Sequence, residues 1–198
     1  MIIRTTPKSL SRNWVISGKH RGICMTDKIN LIFPTKELKQ QALEYRKEHF
    51  DCGEFTINGS ELFDKINDYD EWLDKISLNS NVETVASDWV LTDTFFAVRE
   101  LDKKIVGIID LRYELNEFLK DLGHCGYSVR PTERNKGYAT EMLAQVCERA
   151  MIHGLRQLQL SVEKDNLPSI KAILKNGGKY ARSFSLGDKI ADIYIIKL

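Results

Sequence analysis

The sequence predicts an α/β (α+β) domain, and three observations carry that expectation. Strand-like and helix-like stretches alternate from Thr26 to the C-terminus. A strand, a short basic loop and an amphipathic helix follow one another without a break from Gly123 to Met151. The 198 residues, 42% hydrophobic and 29% charged, suffice for one domain with a sizeable core and match neither a disordered chain nor a membrane protein.

The first residues stand apart. Met1 to Cys24 carries Arg4, Lys8, Arg12, Lys19 and Arg21 and no acidic residue. Its longest apolar run, Trp14-Val15-Ile16, is too short for a signal-peptide core or a spanning helix. The helical stripe of a transit peptide is poor here. Residues 1–25 are therefore expected to form a basic extension outside the core, with an upstream extension before Met25 or an added arm as its alternative forms, and residues 26–198 a single domain.

Within that domain, residues 29–33 are an apolar run closed by Pro34, a first strand. Residues 36–50 follow as a helix with a charged outer face. Residues 54–58 are a loop, and Leu62, Phe63, Ile66, Trp72, Leu73 and Ile76 fall at helical intervals over residues 60–76, with Ser60 as cap. Phe63, Tyr69 and Trp72 are expected in the core, with a substrate-lining role as the second reading. Residues 93–99 and 104–113 are β-rich runs joined as a hairpin. After residues 116–122, Cys125, Tyr127 and Val129 alternate with His124, Gly126 and Ser128, the period of a two-faced strand that Pro131 ends. Ala139, Met142, Leu143, Val146, Cys147, Ala150 and Met151 form one helical stripe, and Gly154 stops it. Residues 155–162 alternate as another strand. Pro168 suits a first helical turn capped by Asp165 or Asn166, and that helix runs to Lys175 before Asn176-Gly177-Gly178. Residues 179–184 and 190–197 supply the last two strands. No repeat and no linker to a second domain interrupts this order.

The loop before the long helix carries the first chemical signal. Arg134 and Lys136 precede Gly137, and a helix start with free N–H groups favours an anion. Taken alone, the two cations would be a solvated loop pair. ATP is disfavoured because G-x-x-x-x-G-K-[ST] is absent.

Arg134-Asn135-Lys136-Gly137-Tyr138-Ala139 fits R/Q-x-x-G-x-G/A, and the segment resembles the GNAT superfamily of acetyl-CoA-dependent N-acetyltransferases. Asn166-Leu167-Pro168-Ser169 resembles that family's second landmark, and the likeness spans about Phe95 to Leu198. The resemblance implies a GNAT fold: a central mixed, mostly antiparallel sheet, splayed at the central strands and flanked by helices. It implies acetyl-CoA as co-substrate, no metal, and direct attack by a primary amine in a ternary complex. Arg134, Asn135, Lys136, Gly137, Tyr138 and Ala139 would hold the pyrophosphate, Gly137 because a Cβ would obstruct close approach. Tyr127, Ser128 and Val129 would offer backbone groups to the pantetheine arm, Asn166 would hydrogen-bond the same arm, and Ser169 would belong to the cofactor site as well. The helices after the first strand would wall the acceptor site, where Glu61, Asp64, Asp68, Asp70, Glu71 and Asp74 cluster as an acceptor-attracting patch or a solvated face.

An amine with a pKa of ~10.4 must lose a proton before it attacks a thioester. His124 is the leading candidate base, because a pKa near ~6.5 leaves it able to accept; a histidine merely packed at a strand start is the other reading. Glu163 is the second candidate base, or a solvated strand-end residue. Relatives place a Tyr seven residues after the landmark Asn to protonate the departing sulfur, but here that position is Ile173. Tyr180 and Tyr127 are the candidate replacements, each also readable as a core or edge-strand residue.

Cys24, Cys52, Cys125 and Cys147 lie far apart, form no C-x-x-C pair and read as small buried hydrophobes, with no zinc site visible. A net charge of +1 argues against a protein built to coat nucleic acid. The expected setting is cytoplasmic, with no membrane partner, a small-molecule or peptide amine as acceptor, and homodimer pairing through the exposed final strands. The missing Tyr keeps a second reading open, an acyl-CoA-binding module without turnover.

Overall fold

In the computed structural model residues 28–198 are described, so the basic extension at residues 1–25 lies outside the described residues. Strands β1 (Ile29–Ile32), β2 (Thr92–Arg99), β3 (Ile105–Arg112) and β4 (Tyr127–Val129) form a four-stranded sheet in that order. Strands β5 (Gln157–Glu163), β6 (Lys179–Leu186) and β7 (Lys189–Lys197) form a second sheet ordered β5-β7-β6. Every ladder in both sheets is antiparallel. Helices α1 (Lys39–Asp51) and α2 (Tyr69–Asn79) precede β2. Helix α3 (Tyr138–Ile152) links β4 to β5, and α4 (Leu167–Lys175) links β5 to β6.

The near-continuous apolar runs of β2 and β3 follow from burial on both faces. Phe95, Ala97, Ile109 and Leu111 meet Met142, Leu143 and Val146 of α3 on one face. Phe96, Val98, Ile105 and Ile108 meet Tyr45 of α1 and Trp72 and Ile76 of α2 on the other. Phe63, Tyr69 and Trp72 are core residues there, with the Phe63 and Trp72 rings 4.5 Å apart. At the outer edge of the first sheet, Gln145 of α3 donates to Ile29 O and accepts from Leu31 N, so its side chain partners the edge of β1. No helix of the described residues is long and apolar enough to cross a membrane.

Two expectations are corrected. Residues 60–68 are turns, not the start of a helix, and α2 begins at Tyr69. Asp68 takes the cap, its carboxylate accepting from the amides of Asp70 and Glu71, whereas the carbonyl of Ser60 accepts from Trp72 Nε1. The apolar spacing over that stretch arises from turns packed on the core, and Glu61 and Leu62 are left-handed, at φ 48° and 69°. The central strand is also shorter than its alternation suggests. Gly126 O and His124 O still accept from the amides of Asp110 and Arg112, but the Asp110 carboxylate takes Gly126 N–H at 2.6 Å and breaks the regular ladder.

The two sheets touch at one bridge, Gly123 with Leu160, beside which His124 N donates to Gln159 O. Beyond it β4 and β5 part, and their far ends open into one cleft.

Candidate active site

The cleft holds an outer cavity of about 630 Å³. Tyr127, Ser128 and Val129 line one side, Asn166, Pro168 and Ser169 the other, and the loop into α3 closes an end. The ladder decides which strand groups face it. Asp110 N donates to Gly126 O and Arg130 N to Val106 O, so the pair between them, Ser128 with Ile108, also spends its backbone groups on β3. The main-chain groups of Tyr127 and Val129 therefore turn toward the splay. Val129 O accepts from Arg134 Nε at 3.3 Å. Among the described residues, Tyr127 N–H, Tyr127 C=O and Val129 N–H meet no partner. That is an open strand edge inside a cleft.

At the end of the cavity Pro131 starts a 3₁₀ turn, Asn135 is left-handed (φ 64°) and Gly137 caps α3 at φ 91°. The first helical bond runs from Glu141 N to Gly137 O. The amides of Asn135, Lys136, Gly137, Ala139 and Thr140 have no acceptor among the described residues. A Cβ on Gly137 would meet no protein atom within 4 Å, so the glycine is required by its left-handed backbone, and any Cβ there would stand in the cavity. The two cations of the loop are not free: both Arg134 Nη atoms lie 2.6 Å from the Glu54 carboxylate, and Lys136 pairs with Glu133 at 2.7 Å. Tyr138 is buried and its hydroxyl accepts from Arg99. An anion in this cradle would thus be held chiefly by main-chain donors and the α3 dipole.

A second, inner cavity of about 260 Å³ adjoins the first. Asn58, Tyr127, Asn166 and Ser169 line both and form their common wall. Asn166 caps α4, its Oδ1 accepting from Ser169 N. Tyr127 Oη is 2.7 Å from Ser169 Oγ, and burial raises its pKa, so it stays protonated. Ile173 lines the inner cavity without a donor.

The expected bases and acid are dispersed. Glu163 lines the inner cavity and pairs with Lys189 at 2.6 Å. His124 lines neither cavity; its Nδ1 accepts from Gln159 N at 3.0 Å, and burial lowers its pKa. Tyr180 is exposed, outside both cavities, its hydroxyl 3.0 Å from Ser183 Oγ.

Sequence reasoning missed a buried polar cluster beside the inner cavity. Asp110 of β3 is fully buried and 2.6 Å from Arg112, which lines the cavity. An acid within the apolar run of β3 was a readable signal; the sequence places Glu61 only in an acidic patch or solvated face, and the structure buries it. Burial first, and the like charge of Asp110 second, push the Glu61 carboxyl up to about 7, against Arg112, an Asn79 hydrogen bond and Lys75. A carboxyl raised this way favours the folded state below its unfolded pKa, and that contribution is lost as pH rises toward 7. Glu61→Gln should therefore be more stable than the native chain at pH 8, by roughly 1–2 kcal/mol, with the gap closing by pH 5; melting temperatures of both at the two pH values check this.

Residues 54–179 match the sequence model of the family described as Acetyltransferase (GNAT) domain. The fold resembles that of the microcin C7 self-immunity acetyltransferase MccE, solved in complex with acetyl-CoA and AMP, at TM-score 0.64 and 13% identity over 87% of this chain and 93% of that one. A GNAT-family acetyltransferase from Bacillus anthracis aligns at TM-score 0.58 and 16% identity, over 87% and 98% of the two chains. The GNAT domain of S. lividans PAT does so at TM-score 0.58 and 14% identity, over 86% and 89%. A comparison with curated protein sequences finds no match.

Proposed function

The chain belongs to the GNAT acetyltransferase family, and from that premise we propose that it moves an acetyl group from acetyl-CoA to a primary amine held beside it. The observation that carries this reading is the open edge of β4 continuous with the unpartnered amides of Asn135, Gly137 and Ala139. A pantetheine arm can add to the first as a strand would, and a pyrophosphate can take the second. The outer cavity then belongs to acetyl-CoA and the inner one to the amine, which is a small molecule or an exposed peptide amine.

Both reactants would meet at the shared wall, so proximity supplies a large part of the acceleration. The attacking nitrogen gives up its proton, the C–S bond of the thioester breaks, and the thiolate takes a proton. Tyr127 is the donor we assign to the thiolate, because it stands in that wall and stays protonated. Glu163 at the inner cavity is the candidate base that can touch the amine. His124, held to Gln159, lines neither cavity, which favours Glu163 over it as the base.

The absence of a donor at Ile173 favours one other reading, a domain that binds acyl-CoA without turnover. Two measurements separate the readings. Acetyl-CoA and CoA at about 100 times Kd should each stabilise the chain by roughly 2.7 kcal/mol, with ATP giving less. Release of CoA that depends on an added amine then selects the enzyme. No stabilisation by either CoA species would overturn both.

A further inference from the structure

Resting on the acetyl-transfer reading, we propose that Glu54 is an internal competitor for the phosphates of acetyl-CoA: its carboxylate and the pyrophosphate contend for one guanidinium, that of Arg134. In that role it limits the affinity for acetyl-CoA and CoA alike, and so speeds the departure of CoA. Three features set in one cavity lining carry this: a fixed carboxylate, a two-pronged cation and a row of unpartnered amides.

The carboxylate is presented rigidly. Glu54 N donates to His49 O at 2.9 Å, and His49 Nδ1 lies 2.8 Å from Glu54 Oε2. His49 is itself buried, with its ring 4.7 Å from that of Tyr45 in α1. Its Nδ1 faces a carboxylate and therefore carries the proton. Burial disfavours a second proton at Nε2, which meets no partner among the described residues. Arg134 reaches the same carboxylate with both terminal nitrogens, Nη1 to Oε1 and Nη2 to Oε2, each at 2.6 Å. Glu54 and Arg134 both line the outer cavity, together with Asn135, Gly137 and Ala139. A pyrophosphate bound to those amides shares this lining with Glu54. It offers the guanidinium the same two-oxygen face with more charge.

Exchange of one anion for the other costs little on either side. The ion pair is partly exposed, its side chains 44% and 33% accessible, and pairs of that kind are weak. Glu54 without Arg134 keeps His49 and water. Arg134 without Glu54 keeps Val129 O, which accepts from its Nε at 3.3 Å. Glu133, the other acid in the lining, is no competitor of this kind. It is buried and already holds Arg99, Lys104 and Lys136, so it is outnumbered where Glu54 is matched one to one.

The charged and titratable groups about Glu54 are Arg134 from the loop and His49, Tyr45 and Glu48 from α1. Arg134 first, and His49 after it, hold the Glu54 carboxyl below the usual carboxylate range against the effect of burial.

The test measures binding to the full chain by calorimetry, with acetyl-CoA, CoA and S-acetylpantetheine, a fragment that ends before the first phosphate. Glu54→Gln removes the charge and keeps the shape. It should tighten acetyl-CoA and CoA about three- to tenfold and leave S-acetylpantetheine unchanged. Adding Arg134→Gln to Glu54→Gln should cancel the gain, because the contested guanidinium is gone. Weaker or unchanged binding of acetyl-CoA in Glu54→Gln would overturn the proposal, as would an equal gain for S-acetylpantetheine. If Glu54→Gln does not fold, carbon NMR of the Glu54 carboxyl in the native chain decides. Its titration should move up when CoA binds, since the guanidinium that depresses it is drawn away. A titration left in place would overturn the competition. Failure of the native chain to bind acetyl-CoA at all would instead overturn the acetyl-transfer reading beneath it.

Discussion

Replacing Gly137 by Val should abolish the stabilisation that acetyl-CoA gives the native chain. The native residue sits at φ 91° at the N-terminus of α3, in the lining of the outer cavity. Any L-residue there pays roughly 1–2 kcal/mol of left-handed strain, and a β-branched one is a genuine outlier. Relaxing that strain would reorient the amides of Asn135, Gly137 and Ala139; leaving it would put a Cβ and two methyls where the phosphates would approach on the proposed reading. Both routes remove binding, so the acetyl-CoA-induced shift should vanish, with Kd raised more than about a hundredfold if two or more charge-assisted bonds are lost. Gly154 separates strain from binding. It ends α3 at φ 88°, also with open space around a would-be Cβ, but outside both cavities. Gly154→Val should lower the melting temperature by a similar few degrees and keep the full acetyl-CoA shift. A Gly137→Val chain that still responds to acetyl-CoA would mean the cofactor lies elsewhere.

How much of this was legible beforehand depends on how local the cause is. Pro131, Gly137 and the stripe from Ala139 to Met151 act within a few residues, so the strand, loop and helix could be placed from sequence. The same holds for α4, where Asn166 caps and Pro168 occupies the first turn. The failure at residues 60–68 is instructive: Leu62, Phe63 and Ile66 keep helical spacing, but Asp68 is the stronger cap and Gly59 must lie flat against Gly126. Only the partner strand reveals that second constraint. Charge pairing was equally hidden. Arg134 and Lys136 read as phosphate ligands, yet Glu54, 80 residues away, and Glu133 occupy them. The Glu61, Asp110 and Arg112 cluster is assembled from a turn and a strand that meet only in three dimensions.

Tyr127→Phe should slow turnover while leaving acetyl-CoA binding intact. The hydroxyl removed is the one polar group of a side chain that lines both cavities, and its ring, which does the packing, remains. Main-chain groups of residue 127, not its side chain, form the open strand edge, so affinity for acetyl-CoA should not change. The departing thiolate has a thiol pKa of ~8.5 and is a tolerable leaving group, which places the loss at the low end of general-acid effects, about tenfold to a hundredfold in kcat. The site explains why a donor here is useful: Ile173 offers none, and Tyr180 projects into solvent beside Ser183. Ser169 Oγ, 2.7 Å from the phenol and in the lining of the outer cavity, can relay a proton from water to it, so Ser169→Ala should show a smaller loss of the same kind. Ile173 faces the same inner cavity, so adding Ile173→Tyr to the Tyr127→Phe variant should restore part of the rate. A merely structural role for Tyr127 predicts no such rescue, and its loss would raise KM and lower the melting temperature instead. An unchanged kcat in Tyr127→Phe would leave the thiolate to depart unassisted and return the proton-donor question to water.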